Sequence, residues 1–496
     1  MADEETLDPD DWQEFGRVFH EAADLGLAHT RDVREKPVWQ PPPEAVKERF
    51  RERLPRDGQP IREVLSIFEE AVLPYGTGNT HPRFWGWVHG SGNVAGVLGE
   101  MLAAFMNCNA GGRDHIATYI ERQVIEWSKE IFGLPATASG ILTSGTSMAT
   151  LIALTVARDT KADADVQKRG VAAAGKLFGY ASAEAHRSIA KAFDMLGIGT
   201  ESLRLVPVDG DDRMRVDRLA KMIEADRAEG CLPFLVAASA GTAATGAIDD
   251  IDRIAQLCGA ENLWLHVDAA FGGLAVLTPE FRPQLAAIAE ADSVAFDFHK
   301  WLHVPYDAGC VLVRDAAAHR RAFAARPEYL AGQTQGLAAG EPWFCDFGPE
   351  MSRGFRALKI WFTLKTYGIN RFAELITRNC AQAGHFAALL ASHAEFELLA
   401  KVSLNIVCFR FVAAGLPEAA LDALNCRVVT ELQMQGIAVT STTRIAGKTA
   451  IRAAITNHRT TTHDLEVLVA ESLRLGMTIA REMSRPSSER AGRRAA

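Results

Sequence analysis

Clustered cysteine is missing from this sequence of 496 residues: its eight cysteines stand singly, with no CxxC spacing. That argues against a thiolate zinc site, so no metal is expected, and against a disulfide framework. Single thiols predict burial in a reducing, cytoplasmic compartment. Excess positive charge is missing too. The formal net charge is −9, and Lys and Arg are spread along the chain, so neither nucleic acid nor an anionic membrane is an expected partner. The acidic start Met1-Ala2-Asp3-Glu4-Glu5 has no apolar stretch behind it and predicts no secretory signal. Nor is there a membrane-length apolar run. The longest uncharged stretch, Ile131 to Ala157, is interrupted by Pro135, Gly140 and Gly145 and suits a buried strand, loop and helix. A P-loop ending in Gly-Lys-Ser/Thr is also absent, which disfavours nucleotide hydrolysis.

What is there is ample core material. Hydrophobic residues make up 48% of the chain, enough to bury more than one compact unit. Residues 1–80 read as helical stretches joined by Pro41-Pro42-Pro43, with too little apolar material for a core of their own, so they are expected to pack on a partner surface. Over residues 81–355, short β-branched runs alternate with amphipathic helical stretches, the pattern of an α/β domain with a mostly parallel sheet. Its expected strands include Leu177–Ala181, Phe234–Ala238, Leu263–Val267, Ser293–Phe296 and Cys310–Val313. Residues 356–484 read as a smaller α+β C-terminal domain, opening with one long helical pattern from Arg356 through Phe362 and Tyr367 towards Leu390. Residues 485–496, rich in Arg and Ser, are an expected disordered tail.

Four local patterns carry chemistry. Asp297-Phe298-His299-Lys300-Trp301 follows an expected strand, and open α/β sheets bind ligands beyond their strand ends. A lysine there becomes a nucleophile when its neutral amine is available, although His-Lys alone equally describes a surface lysine. Leu263-Trp264-Leu265-His266-Val267-Asp268 is an apolar strand ending in a carboxylate that requires a partner, or else caps a helix. Thr143-Ser144-Gly145-Thr146-Ser147 sits between a strand and a helix, where free N–H groups and hydroxyls cradle phosphate or simply cap the helix. His186, after another strand, is placed to stack on a flat ring, or is a satisfied core histidine.

Together these motifs resemble the group II pyridoxal-5'-phosphate (PLP) dependent amino-acid decarboxylases, which include aromatic-L-amino-acid and glutamate decarboxylases. His-Lys-Trp at Lys300, His-Val-Asp-Ala-Ala at Asp268, Ala-His-Arg-Ser at His186 and the Ser-Gly-Thr-Ser turn stand in the family's order and spacing. The similarity extends from His81-Pro82-Arg83-Phe84 to Ile455-Thr456-Asn457-His458-Arg459. The resemblance implies the aspartate aminotransferase fold (fold type I) and a PLP-dependent lyase that releases CO2 and an amine. It implies that Lys300 holds PLP covalently, that Asp268 pairs with the pyridine nitrogen, and that His186 and Ala270 cover the two ring faces. Thr146, Ser147 and His299 are then phosphate contacts. Tyr329 matches the catalytic tyrosine on a lid, with Ala331 to Gly340, over the neighbouring active site of a homodimer, and favours amine over aldehyde as product.

Two departures from the family pattern stand out. Asp297-Phe298 replaces the common Asn-Pro or Asp-Pro before His-Lys, and Ala243 stands where many relatives carry threonine. For the substrate, Trp85 and Trp87 are expected to sandwich an aromatic ring, with room left by Gly86 and Gly90. Arg83 or His89 facing an acidic side chain is the competing expectation, with glutamate, aspartate or cysteine sulfinate as substrate. An aldehyde synthase or another PLP-dependent lyase is the further alternative.

Overall fold

The computed structural model describes residues 6–162, 164–324 and 332–484. A seven-stranded sheet comprises β1 (Ser139–Thr143), β2 (Leu177–Ser182), β3 (Leu203–Val206), β4 (Leu232–Ser239), β5 (Trp264–Asp268), β6 (Ser293–Asp297) and β7 (Gly309–Val313). Its order is β1-β7-β6-β5-β4-β2-β3. β3, β2, β4, β5 and β6 run parallel, while β7 is antiparallel to both of its neighbours. Every residue of β5, β6 and β7 is buried, which is why these strands read as unbroken apolar runs rather than alternating ones. The helix Thr146–Lys161 lies against β4 to β7 and buries Ala149, Ala153, Leu154 and Ala157. Each named strand expectation is met within two residues at either end.

A second, four-stranded antiparallel sheet contains β8 (Phe396–Leu398), β9 (Ile406–Phe411), β10 (Ser441–Ile445) and β11 (Lys448–Ala454), in the order β10-β11-β9-β8. Helices Ile369–Ala391, Glu418–Met434 and Thr462–Met483 close its core, with Phe386, Phe409, Val428 and Leu468 fully buried. Thr461 and Asp464 cap the last of these helices reciprocally.

The division into domains is less clean than the periodicity suggests. The single helix expected from Arg356 towards Leu390 is two, Arg356–Tyr367 and Ile369–Ala391, because Gly368 adopts φ +70° between them. The first packs Ala357, Leu358 and Ile360 into the large core, and the second contributes to both cores. At the other boundary, Trp85 donates its N–H to the Val439 carbonyl and Ala454 donates to the Trp85 carbonyl. Residues 83–85 thus extend the small sheet.

The N-terminal helix Trp12–Arg31 is capped by the Asp11 carboxylate, and buries only Val18. Trp12, Ile61, Val64 and Phe68 from this region stay exposed. The expected tail, 485–496, lies outside the described residues. Among the described residues no helix is long and apolar enough to cross a membrane.

Candidate active site

Because β2, β4, β5 and β6 are parallel, the residues following them emerge on one edge of the sheet. That edge and β10–β11 of the small sheet enclose a cavity of about 700 Å³. It is lined by Trp87, His89, His186, Asp268, Ala270 and Lys300, six of the expected site residues, together with Tyr306 and Arg452. A separate cavity of about 500 Å³, walled by Trp127, Ile131, Leu277 and Leu364, shares no lining residue with it.

Asp268 closes β5 inside the sheet, and its Oδ1 accepts the Ala270 N–H at 3.1 Å. Burial raises its pKa, and the neighbouring Lys300 and His186 act in the opposite direction. Its affinity for a proton or a cationic ligand is therefore high. His186 stands open on the wall; its Nδ1 accepts the Ser188 N–H at 3.2 Å, which places the ring proton of the neutral form on Nε2.

The lysine turn is built around a carboxylate. Asp297, 2% exposed, accepts the Thr146 N–H on Oδ1 at 2.7 Å and holds Lys300 Nζ at 3.0 Å from Oδ2. His299 Nε2 stands 3.7 Å from the same oxygen, while its Nδ1 accepts the Ala308 N–H at 3.1 Å. Burial lowers the His299 pKa, so the ring is neutral with its proton on Nε2. The Tyr306 ring lies 4.2 Å from the His299 ring, and burial followed by the Asp297 charge pushes its phenol up to about 12. Close backbone approach fixes this turn. A Cβ on Gly90 would lie 2.0 Å from the His299 carbonyl oxygen, and one on Gly309 would lie 2.4 Å from the Gly145 Cα. Gly90 therefore makes way for the lysine turn, not for a substrate ring.

Thr146 begins its helix with a buried hydroxyl that has no hydrogen-bond partner, and Ser147 beside it is exposed. An orphaned hydroxyl at a helix N-terminus suits an anionic group. With a buried carboxylate and a lysine facing one cavity, these residues fit a flat cofactor that has a cationic ring nitrogen, a carbonyl carbon and a phosphate.

Trp85 and Arg83 are away from the cavity. Trp85 is 1% exposed inside the small-domain core, with its indole N–H donated to Thr460 Oγ1 at 3.2 Å. It does not reach the cavity, so no tryptophan pair sandwiches a ligand; an apolar pattern cannot separate a core tryptophan from a pocket one. Tyr329 lies outside the described residues, as does Ala331 at the start of the expected lid. Arg83 does not line the cavity.

Reasoning from sequence also passed over three residues. Asp297, like Asp268, is a carboxylate ending an apolar strand, and that signal was readable. Arg452, a lone charge in the apolar run of β11, donates to the Ala244 and Trp87 carbonyls at 3.1 and 2.9 Å. Tyr306 gave no signal before the turn was folded.

The comparisons with known proteins agree with this geometry. The family described as "Pyridoxal-dependent decarboxylase conserved domain" matches residues 43–412. An aromatic-L-amino-acid decarboxylase of Bacillus atrophaeus is 34% identical over 91% of this chain and 93% of its own. A histidine decarboxylase of Drosophila melanogaster is 32% identical over 97% of this chain but 57% of its own. The crystal structure of Oryza sativa TDC with PLP and tryptamine superimposes with a TM-score of 0.88 at 26% identity, covering 96% of this chain and 100% of that one. A fold type I architecture, a lysine turn and a buried aspartate at one sheet edge, and a family match over most of the chain converge: this chain belongs to the pyridoxal-dependent decarboxylases, enzymes that use PLP to decarboxylate amino acids.

Proposed function

We propose that the enzyme decarboxylates an aromatic L-amino acid to the corresponding amine. The observation that carries this reading is the cavity wall opposite Asp268 and Lys300. There Trp87, His89 and Tyr306 form a run of neighbouring rings, with centroids 5.8 and 6.0 Å apart in that order. Of the groups expected to meet an acidic side chain, Arg83 is off the wall. His89 has its pKa lowered by burial and by Lys300, and so carries no charge at neutral pH. The rim cation Arg187 is accompanied by Glu184. The Bacillus atrophaeus relative, named for aromatic amino acids, supports the same choice.

In this reading Lys300 anchors PLP, Asp268 holds its ring nitrogen protonated, His186 and Ala270 cover the ring faces, and Thr146, Ser147 and His299 bind the phosphate. Bound there, the cofactor supplies an electron sink for the pair left on Cα when the carboxylate departs as CO2. Asp268 keeps that sink effective through its buried negative charge. Arg452 positions the substrate wall by holding the Trp87 carbonyl. His186 presents Nε2–H on the cavity wall and, with Tyr329, delivers the proton that returns to Cα.

The chain works as a homodimer in this reading. Val97, Leu98, Phe105, Ile116 and Tyr119 on neighbouring helices, with Trp12 and Phe68, are exposed, and a second copy would cover them. Its eight free cysteines suit a cytoplasmic, reducing location.

The test is amine and CO2 release from a panel of aromatic and acidic L-amino acids, with Lys300→Ala as control and ammonia and peroxide measured alongside. Amine from tryptophan, tyrosine or dopa supports the reading. Turnover of acidic substrates alone rejects the aromatic site, and peroxide with ammonia marks an aldehyde synthase.

A further inference from the structure

His89 is held among rings, with its polar atoms left over. Its imidazole lies 5.6 Å from the Phe84 ring, 5.8 Å from the Trp87 ring and 6.0 Å from the Tyr306 ring, centroid to centroid. Phe84 is 3% exposed and bridges to Val439 of the small domain, so this backing is anchored. The His89 carbonyl accepts the Thr456 hydroxyl at 2.7 Å, Arg452 fixes the Trp87 carbonyl, and Gly90 packs closely on the His299 carbonyl. The backbone on both sides of the imidazole is therefore pinned.

Neither ring nitrogen of His89 makes a hydrogen bond among the described residues. The Nε2 atoms of His266 and His303 also lack partners, but they are sealed in the core. His89 is instead half-buried on the cavity wall, and its nitrogens open on the cavity. Burial and the nearby Lys300 lower its pKa, so the ring is neutral and offers one N–H donor and one acceptor nitrogen. Water satisfies both while it fills the cavity. Once an aromatic substrate displaces that water, a nitrogen left without a partner is unfavourable.

We propose that His89 determines specificity by hydrogen-bonding a hydroxyl on the substrate ring, which makes ring-hydroxylated aromatic L-amino acids, of the tyrosine and dopa type, the preferred class. The inference rests on the aromatic reading of the site and narrows it. A hydroxyl both donates and accepts, so it pairs with whichever nitrogen faces it. An indole N–H pairs only with the acceptor nitrogen, and a bare phenyl ring pairs with neither. Sites that hydrogen-bond a substrate hydroxyl reject the analogue lacking it more strongly than an apolar pocket separates two similar side chains. For one bond from a neutral, half-buried nitrogen, the preference should be about 10- to 100-fold.

The test is the ratio of kcat/KM for L-tyrosine to that for L-phenylalanine, measured with the PLP-loaded enzyme. Damage to folding or to the chemical step acts on both substrates and cancels in this ratio. The ratio should be about 10 to 100 in the natural protein and fall close to one in His89→Phe, which keeps a ring in place and removes its nitrogens. His89→Gln, which carries a donor and an acceptor, should recover part of the preference. If His89→Phe does not turn over, the relative affinities of tyramine and phenethylamine, read from the visible absorbance of the bound cofactor, carry the same test. A tyrosine preference that His89→Phe leaves intact would overturn the proposal, as would a natural enzyme that takes phenylalanine or tryptophan as readily as tyrosine; in both cases the aromatic reading stands. Turnover of acidic amino acids alone removes that reading, and this inference with it.

Discussion

Arg452 shows what one side chain does for this site. Its guanidinium is 4% exposed, and burial lowers its pKa to about 10, so it stays charged at neutral pH. It ties the Trp87 carbonyl to the Ala244 carbonyl across the cavity wall. Trp87 has φ +52°, a backbone setting that a bulky residue holds only when its surroundings enforce it. Arg452→Lys keeps the charge and loses the fork, so KM for an aromatic substrate should rise about tenfold, the equivalent of one charge-assisted hydrogen bond. Steady-state kinetics check this, with KM moving more than kcat. The two tryptophans separate in the same way. Trp87→Ala should raise KM and leave thermal stability nearly unchanged, because the residue is 54% exposed. Trp85→Ala, in the core, should cost about 3–5 kcal/mol in denaturant unfolding. At this scale a charge interrupting an apolar strand was the readable signal: it marked Asp268, and the same signal stood unread at Asp297 and Arg452. The sequence was silent about Trp85 and Trp87, two residues apart in the chain, because only packing decides which indole is inside.

Between elements, one ion pair does much of the joining. Glu121, on the helix Ile116–Phe132, and Arg353, in the loop before Arg356, are both fully buried and 2.6 Å apart. Glu121 also accepts the Leu142 N–H of β1 at 3.1 Å, and Arg353 donates to the Ala110 and Leu142 carbonyls. Removing one partner leaves the other charge buried and unpaired, so Glu121→Ala should lose about 3–5 kcal/mol. Urea unfolding of the cofactor-free protein measures it. This network also steadies β1, whose end at Thr143 leads into the turn carrying Thr146. Strands of the large sheet were readable in advance because burial on both faces makes them apolar throughout. The break at Gly368 and the pairing of residues 83–85 with the small sheet were not. The first depends on a left-handed backbone conformation within a continuous helical periodicity, and the second on a partner more than three hundred residues away.

For the molecule as a whole, acid is the vulnerable direction. Burial lowers His266 to about 3 and His81, His319 and His458 to about 4, and takes His303 well below its ordinary value. Each is neutral in the fold and binds a proton more readily once unfolded. Their contribution is present above pH 6.5 and is lost as pH falls towards 4. Asp249, raised to about 6 by burial, acts oppositely, since the fold protonates it more readily than the unfolded chain does. Burial also raises Asp268, Asp292 and Glu184 and lowers His29, His89 and His299, so among the described residues eight histidines stand against four carboxyls and the balance stays with the histidines. The melting temperature should therefore drop steeply between pH 6.5 and 4, as calorimetry at fixed ionic strength would show.

The sequence by itself determined the alternation of strand and helix, and the residue types at the strand ends, because hydrophobic periodicity and costly buried charges are local properties. Only the tertiary structure decided which of those ends meet. Parallel pairing brought Asp268, His186 and Lys300 to one edge, and the small sheet supplied Arg452 and the far wall. Asp297 became the centre of the lysine turn through a contact spanning 151 residues. Such closure is set by the packing of whole layers, which no short stretch of sequence contains.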